Sequence, residues 1–264
     1  MKTINFYPKV SILIANYNNA PYLEKCINSV INQNYRNTEI IVIDDNSNDD
    51  SIKILNRFKQ KIKIILNKKK KRMGFINQMN VYYLGFKKAK GDLVFFLDSD
   101  DYFSKFKISH IVNLYLNNPN KKFFFDLPVI FNKDKKYYVK IRKIFFKRPW
   151  SYIYPTSCIS INKKILNKIF KLIYINKFSD IWMDFRIHLC VKYIFNDFCF
   201  VNKNLTFYRK IENSASSSFK FLTINWWKRR LQAYEYLFFF AKKNKLTVKK
   251  NLDFYVTKII NSFL

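Results

Sequence analysis

The sequence predicts an α/β protein: a Rossmann-like, mostly parallel sheet flanked by helices, with a C-terminal helical extension. Three observations carry this expectation. Short apolar runs that suit strands buried on both faces alternate with helical periodicity four times between Val10 and Leu116. The run Leu93–Leu97 breaks off abruptly in the carboxylates Asp98, Asp100 and Asp101. From Phe219 onward the chain is helical in pattern, aromatic and basic, with ten Lys/Arg against two acids, Glu235 and Asp253. The expected division is a domain over residues 1–218 and an extension over 219–264.

Val10–Ala15 reads as the first buried strand, and Pro21 suits the start of the helix after the loop that follows. Leu23, Cys26, Ile27, Val30 and Ile31 fall at the spacing of an amphipathic helix. Glu39–Ile43 is the second strand, ending in Asp44-Asp45-Asn46-Ser47. Ile52, Leu55 and Phe58 mark a second helix, and Ile62–Leu66 a third strand. Ile76, Met79, Tyr83 and Phe86 mark a third helix, Gly91 turns into the strand ending at Asp98, and Phe106–Leu116 is a fourth helix. Beyond Pro119, Phe123–Phe131 and Lys136–Phe146 read as strands of an antiparallel or mixed region, and Ile165–Ile173 and Asp184–Phe195 as helices.

Side chains alternate along a strand, so Asp98 and Asp100 point the same way and Ser99 points away. Like charges held together at the carboxyl end of a parallel strand are costly unless a cation joins them, and ligands of open α/β sheets collect at that end. A divalent ion that prefers oxygen ligands, Mn2+ or Mg2+, is the expected guest. The plainer reading of the three acids is a turn followed by a helix cap. An EF-hand loop is excluded, because Tyr102 and Phe103 stand where an oxygen ligand and a glycine are required. An aspartyl-phosphate hydrolase is disfavoured by Tyr102 and by the motif's distance from the N-terminus.

Composition narrows the class further. Hydrophobic content of 49% and aromatic content of 19% exclude a disordered chain. The longest apolar runs, such as Tyr236–Ala241, fall far short of the ~20 residues a membrane span needs. Cys26, Cys158, Cys190 and Cys199 lack metal or redox spacing and fit reduced thiols in a cytoplasmic protein. The net charge of +31 would suit nucleic acid, but the wealth of Lys, Asn, Ile, Phe and Tyr beside only 3 Gly and 6 Pro is a slant that A+T-rich coding produces. The expected partners therefore exclude nucleic acid and include anionic phosphates or lipid headgroups. Trp226, Trp227, Leu231, Tyr234 and Phe238 share a helix face beside Lys228, Arg229 and Arg230. That face would either lie peripherally on the inner face of an anionic membrane or pack on the domain.

Taken in order, the motifs resemble family 2 glycosyltransferases of the GT-A fold. Val10-Ser-Ile-Leu-Ile-Ala-Asn-Tyr-Asn18 is similar to the family's opening strand and loop, and Glu39-Ile-Ile-Val-Ile-Asp-Asp-Asn-Ser47 to its second strand. Ala89-Lys-Gly-Asp-Leu-Val-Phe-Phe-Leu-Asp-Ser-Asp-Asp101 resembles the segment with its metal motif. Pro155-Thr-Ser157 and Leu205-Thr-Phe-Tyr-Arg209 resemble looser later signatures. The resemblance is firm over roughly residues 8–118.

It implies an inverting, metal-dependent transfer of a sugar from a nucleotide-sugar donor, UDP-linked, to a glycan or lipid-linked acceptor in surface-polysaccharide assembly. Tyr17 would stack on the base and Asp45 would accept from it; the bland readings are a loop anchor for Tyr17 and an Asx turn with Asn46 and Ser47 for Asp45. Asp98 would approach the ribose or metal, and Asp100 would ligate the ion. Asp184 matches the family's base, with Asp180 one helical turn earlier as the rival. His188 is expected to be structural. The departures are Met183 for a Glu, Ile211 for a His and Tyr83 for an Asn. They keep open a non-catalytic nucleotide-sugar-binding relative. The basic run Lys68–Arg72 reads as solvated loop charge.

Overall fold

The computed structural model describes residues 7–67, 75–132, 135–140, 153–175, 177–211 and 219–264. The basic run 68–72 lies outside them. Strands β1 (Val10–Asn16), β2 (Thr38–Asp44), β3 (Lys63–Leu66) and β4 (Leu93–Asp98) lie parallel in the order β3-β2-β1-β4. Asn16 pairs with Asp44, Asp44 with Leu66, and Ala15 with Asp98. The register therefore lines up all four carboxyl ends along one edge.

Helices α1 (Ala20–Ile31), α2 (Ser51–Arg57), α3 (Ile76–Lys88) and α4 (Lys107–Asn117) make the crossovers. Alternation along β1 separates two cores. Ile12 and Ile14 join Leu23, Ile27 and Val30 of α1 and Ile108 and Ile111 of α4, whereas Leu13 joins Met79, Tyr82 and Phe86 of α3. Gly91 lies so close to β1 that a Cβ there would sit 2.5 Å from the Ser11 amide nitrogen and 2.8 Å from the Lys9 carbonyl oxygen. Only glycine permits that approach.

The second half of the sheet mixes directions, as expected beyond Pro119. It adds β5 (Tyr102–Phe103), β6 (Phe123–Asn132), β7 (Lys135–Tyr138), β8 (Ile159–Asn162) and β9 (Phe198–Lys210). β8 runs antiparallel to β4 and to β6, β9 runs parallel to β6, and β5 runs antiparallel to β9. The strand expected over 136–146 ends at Tyr138, and residues 141–152 lie outside the described residues. α5 (Lys163–Ile173) is capped by the Asn162 side chain, which accepts from the Lys164 and Ile165 amides. The helix expected over 184–195 is α6 (Met183–Cys190), which continues as a wider π turn to Phe195 and closes on left-handed Asn196 (φ 49°).

The extension comprises α7 (Ile224–Lys243) and α8 (Leu252–Ser262). Tyr236, Leu237 and Phe240 of α7 belong to the same core as Met183, Phe185 and Ile187 of α6. Of the two readings of the aromatic face of α7, the packed one holds, with α8 covering it. Phe254 stands edge-on to Tyr234 and Phe238 at 5.3 and 5.1 Å, and the Asn261 side chain donates to the Trp227 carbonyl at 3.0 Å. The exposed apolar stripe lies on α8 itself, at Leu252, Val256, Ile259 and Phe263. Among the described residues no helix is long and apolar enough to cross a membrane.

A buried ion pair fastens the two halves. Lys107 of α4 meets Asp126 of β6 at 2.7 Å with both side chains fully enclosed. The Lys107 ammonium also donates to the Ser157 carbonyl and to Thr206 Oγ1, each at 2.6 Å, and the Thr206 hydroxyl donates to Asp126 at 2.6 Å. Burial pushes the Asp126 carboxyl up while Lys107 pulls it down.

Candidate active site

The edge where the parallel strands end gathers most of the expected residues. Asp44 and Asp45 are adjacent, and the structure divides their work. Asp44 is buried, accepts from Asn16 Nδ2 at 2.7 Å, and accepts from the Ser47 amide and hydroxyl at 2.8 and 2.7 Å. The Asx turn considered for Asp45 is thus made by Asp44, with Asn46 left-handed at φ 61°. Asp45 is half-buried and accepts from Asn67, just past the end of β3, at 2.6 Å and from Asn77 of α3 at 3.5 Å. Tyr17 stands 37% exposed in the β1–α1 loop. The neighbouring Asn18 ties that loop to the one after β2: its amide donates to Ser47 Oγ at 3.0 Å and its side chain accepts from the Asn48 amide at 2.9 Å.

At the tip of β4 three carboxylates crowd together. Asp98 Oδ1 accepts from the Tyr82 hydroxyl at 2.7 Å and from Gln78 Nε2 at 2.9 Å, both on α3. Asp101 accepts from the Ser157 hydroxyl at 2.6 Å and from the Arg209 amide at 2.9 Å. The same Ser157 hydroxyl accepts the Asp98 amide at 3.0 Å, so one side chain of the Pro155-Thr-Ser157 turn sets the spacing of two acids. No neighbouring side chain among the described residues donates to Asp100. Its carboxyl is pushed up to about 7 by burial and then by the charge of Asp98, against relief from its own amide and Arg209. Burial and the charges of Asp100 and Asp98 hold Asp101 well above the carboxylate range.

Crowded acids of this kind are costly without a cation; among the described residues no group of three acids, histidines or cysteines is placed to hold a metal ion. Both Asp101 oxygens are occupied and Asp98 Oδ1 is doubly engaged. Asp100 and Asp98 Oδ2 are the oxygens left to hold one. Arg209 stands beside them, its guanidinium over the rings of Tyr22 and Tyr102 at 4.9 and 5.3 Å.

Asp184 sits in the first turn of α6, half-buried, with Oδ1 accepting from the Phe185 amide at 2.6 Å. Burial, with a contribution from Asp98, lifts its carboxyl to about 7, while the Phe185 amide and Arg229 oppose the rise. A carboxyl so poised exchanges a proton near neutrality. Asp180 is tied elsewhere: its amide donates to Gln232 Oε1 at 2.8 Å and its carboxylate accepts from Gln232 Nε2 at 3.3 Å, binding it to α7.

His188 is structural, as expected. Its Nδ1–H donates to the Asp184 carbonyl at 2.7 Å and its Nε2 accepts the Tyr154 amide at 3.2 Å, which fixes one neutral tautomer. Burial takes its pKa down to about 4, against the bond to the Asp184 carbonyl, and its ring stacks on Phe125. Arg186, buried, shapes the approach to α6 by donating to the carbonyls of Ile173, Ile175, Lys177, Phe178 and Ile181. Met183, at the position expected for Glu, is core.

Gln78 and Tyr82 escaped the sequence reading, which named Ser157 only within a looser signature and Arg229 only as a basic neighbour of the aromatic face. A signal existed for the first two, polar groups one helical turn apart on an otherwise apolar face.

Residues 11–179 match the family model described as "Glycosyl transferase family 2". The chain is 39% identical over 104 residues to the Escherichia coli "UDP-Glc:alpha-D-GlcNAc-diphosphoundecaprenol beta-1,3-glucosyltransferase WfaP", covering 39% of this chain and 40% of that one. The chain spans about half the length of the curated relatives it matches, 64% of one and 40% of the Escherichia coli protein. In fold it is similar to Staphylococcus aureus TarS 1-349 in complex with UDP-GlcNAc, with a TM-score of 0.61 and 17% identity over 96% of this chain and 79% of that one. It is also similar to the mannosyltransferase PcManGT from Pyrobaculum calidifontis in complex with GDP-Man and Mn2+, with a TM-score of 0.58 and 16% identity over 93% of this chain and 67% of that one.

Proposed function

Because the chain belongs to glycosyl transferase family 2, we propose that it moves a sugar, with inversion, from a UDP-linked donor to a hydroxyl of a glycan or lipid-linked acceptor in surface-polysaccharide assembly. The observation that carries the reading is the shared edge that holds Asp45, Asp98 and Asp100, with the near-neutral carboxyl of Asp184 in the field of Asp98.

In this scheme Tyr17 stacks on the base and Asp45 accepts from it, held by Asn67 and Asn77. Asp98, fixed by Tyr82 and Gln78, faces the ribose or the metal. Asp100 would hold Mn2+ or Mg2+, which would supply Lewis-acid stabilisation of the diphosphate charge. The acceptor oxygen attacks the anomeric carbon, its proton passes to the Asp184 carboxylate, and the bond to the phosphate oxygen breaks with its electron pair leaving on UDP. The UDP donor and lipid-linked acceptor are supported by the names of the Escherichia coli relative and the TarS complex.

Residues 219–264 lie beyond the family match and are proposed as an extension built onto the domain of residues 1–218. The exposed stripe of α8, flanked by Lys249, Lys250 and Lys258, is the proposed place where the enzyme rests on the inner, anionic face of a membrane. The unpaired thiols of Cys26, Cys158, Cys190 and Cys199 suit the cytoplasmic side.

A panel of nucleotide sugars incubated with protein and Mn2+ tests the reading. One UDP-sugar should be hydrolysed, slowly, in the absence of acceptor. Binding of UDP with no turnover of any donor, alone or with lipid-linked acceptors, would favour the non-catalytic relative.

A further inference from the structure

Where α7 begins, Trp182 and Phe185 face Phe219, Trp226, Arg229 and Ala233 across a cavity of about 210 Å3. Drug-sized ligands occupy about 300–1,000 Å3, so this space suits a single ring. Its place in the fold is informative. Trp182 and Phe185 bracket Asp184 in the chain, and Arg229 is the cation that acts on the Asp184 carboxyl. Phe75 packs edge-on to Trp182 at 5.4 Å, and its amide donates to the Ser179 carbonyl at 2.9 Å. One turn along α3 from Phe75, Gln78 holds Asp98. The cavity therefore adjoins both the proposed base and the proposed donor side.

Its chemistry selects an occupant. Trp182, Trp226 and Phe219 give the cavity an aromatic lining that suits an apolar ring surface, one side of each ring being taken by Arg229 or Arg230. Arg229 is 8% exposed and lies over the rings of Trp182, Phe219 and Phe75. Among the described residues its guanidinium makes no hydrogen bond, so its N–H groups call for oxygen acceptors. A hydrocarbon chain would leave those donors unmet, at the cost of an unsatisfied buried charge. A phosphate would find its cations already engaged, because Asp184 and Asp180 act on Arg229 and the second lining arginine, Arg230, pairs with Asp253. A neutral pyranose has apolar faces and a rim of acceptor hydroxyls.

We propose that this cavity is the subsite for the terminal sugar ring of the acceptor. Trp182 and Trp226 flank the ring, Arg229 grips a ring hydroxyl, and the neighbouring hydroxyl is delivered to Asp184. The inference rests on the transferase reading above.

The test uses the full chain with UDP and Mn2+ and a set of methyl glycosides (of glucose, galactose, N-acetylglucosamine and N-acetylgalactosamine), followed by saturation-transfer NMR. At least one glycoside should bind the wild-type protein. Trp226→Ala, at a half-buried position, should weaken that glycoside about tenfold and leave UDP affinity unchanged, and Trp226→Phe should restore most of the loss. Wild-type protein that binds UDP but none of the glycosides overturns the subsite and leaves the transferase reading intact. So does a folded Trp226→Ala protein that binds glycoside as wild type does. Wild-type protein that fails to bind UDP overturns the transferase reading instead.

Discussion

Replacing Asp184 by Asn keeps the shape of the first turn of α6 and removes the proton acceptor. A positioned general base contributes about 10²–10⁴-fold, or about 2.7–5.5 kcal/mol of barrier, so transfer should fall by that factor. The structure adds a pH signature. With its pKa lifted to about 7, the Asp184 carboxyl is about one-tenth ionised at pH 6, half at pH 7 and nine-tenths at pH 8. The base works ionised, so the wild-type rate should climb about tenfold per unit below pH 7 and level off above it. Asp184→Asn should lose this limb and show a low, flat profile. Donor affinity should hardly change, because the carboxylate faces the acceptor. Initial-rate assays from pH 5 to 9, with UDP titrations alongside, measure both. Asp180→Asn serves as control: it removes the charge that Gln232 and Arg229 face and should lower the melting temperature while transfer persists. Near wild-type turnover in Asp184→Asn together with loss in Asp180→Asn would refute the assignment and exchange the two roles.

Asp100→Asn should abolish the Mn2+-dependent part of UDP binding in calorimetry; undiminished metal-dependent affinity in the folded variant removes Asp100 from the site. Asp45→Ala should weaken UDP but leave pyrophosphate binding nearly unchanged, whereas equal losses would indicate general damage. Ile259→Asp with Phe263→Asp, at exposed positions of α8, should reduce sedimentation with anionic vesicles without altering the melting curve. Equal sedimentation of variant and wild type would rule out α8 as the membrane face.

The parallel half of the fold was legible because β1, β2 and β4 are buried on both faces and read as apolar runs. β5 and β8, at two and four residues, are too short to leave a pattern. β9 hides differently: its thirteen residues mix aromatic and polar side chains, and its pairing with β6 shifts register around Leu127. Only its Leu205–Arg209 stretch stood out in the sequence. The acids of the candidate site were legible as types, whereas their division of labour was not. Nothing in the sequence says that Asp44 rather than Asp45 turns inward; the pairing of Asn16 with Asp44 decides it. The two readings of the α7 face stayed open for a related reason, since periodicity marks an apolar stripe but not which neighbour covers it.

The enclosed meeting of Lys107, Asp126, Ser157 and Thr206 bears on how the chain is made. Lys107 and Thr206 are 99 residues apart, and Asp126 and Thr206 are 80 apart. During synthesis the lysine and the aspartate leave the ribosome well before the threonine that completes their bonding. Burying the pair with one hydrogen-bond partner missing costs about 1–3 kcal/mol, so the early half has reason to stay open until β9 arrives. The last step of folding is then a long-range closure, the slow kind. The half-finished chain would be the form most exposed to proteases and chaperones in the cell.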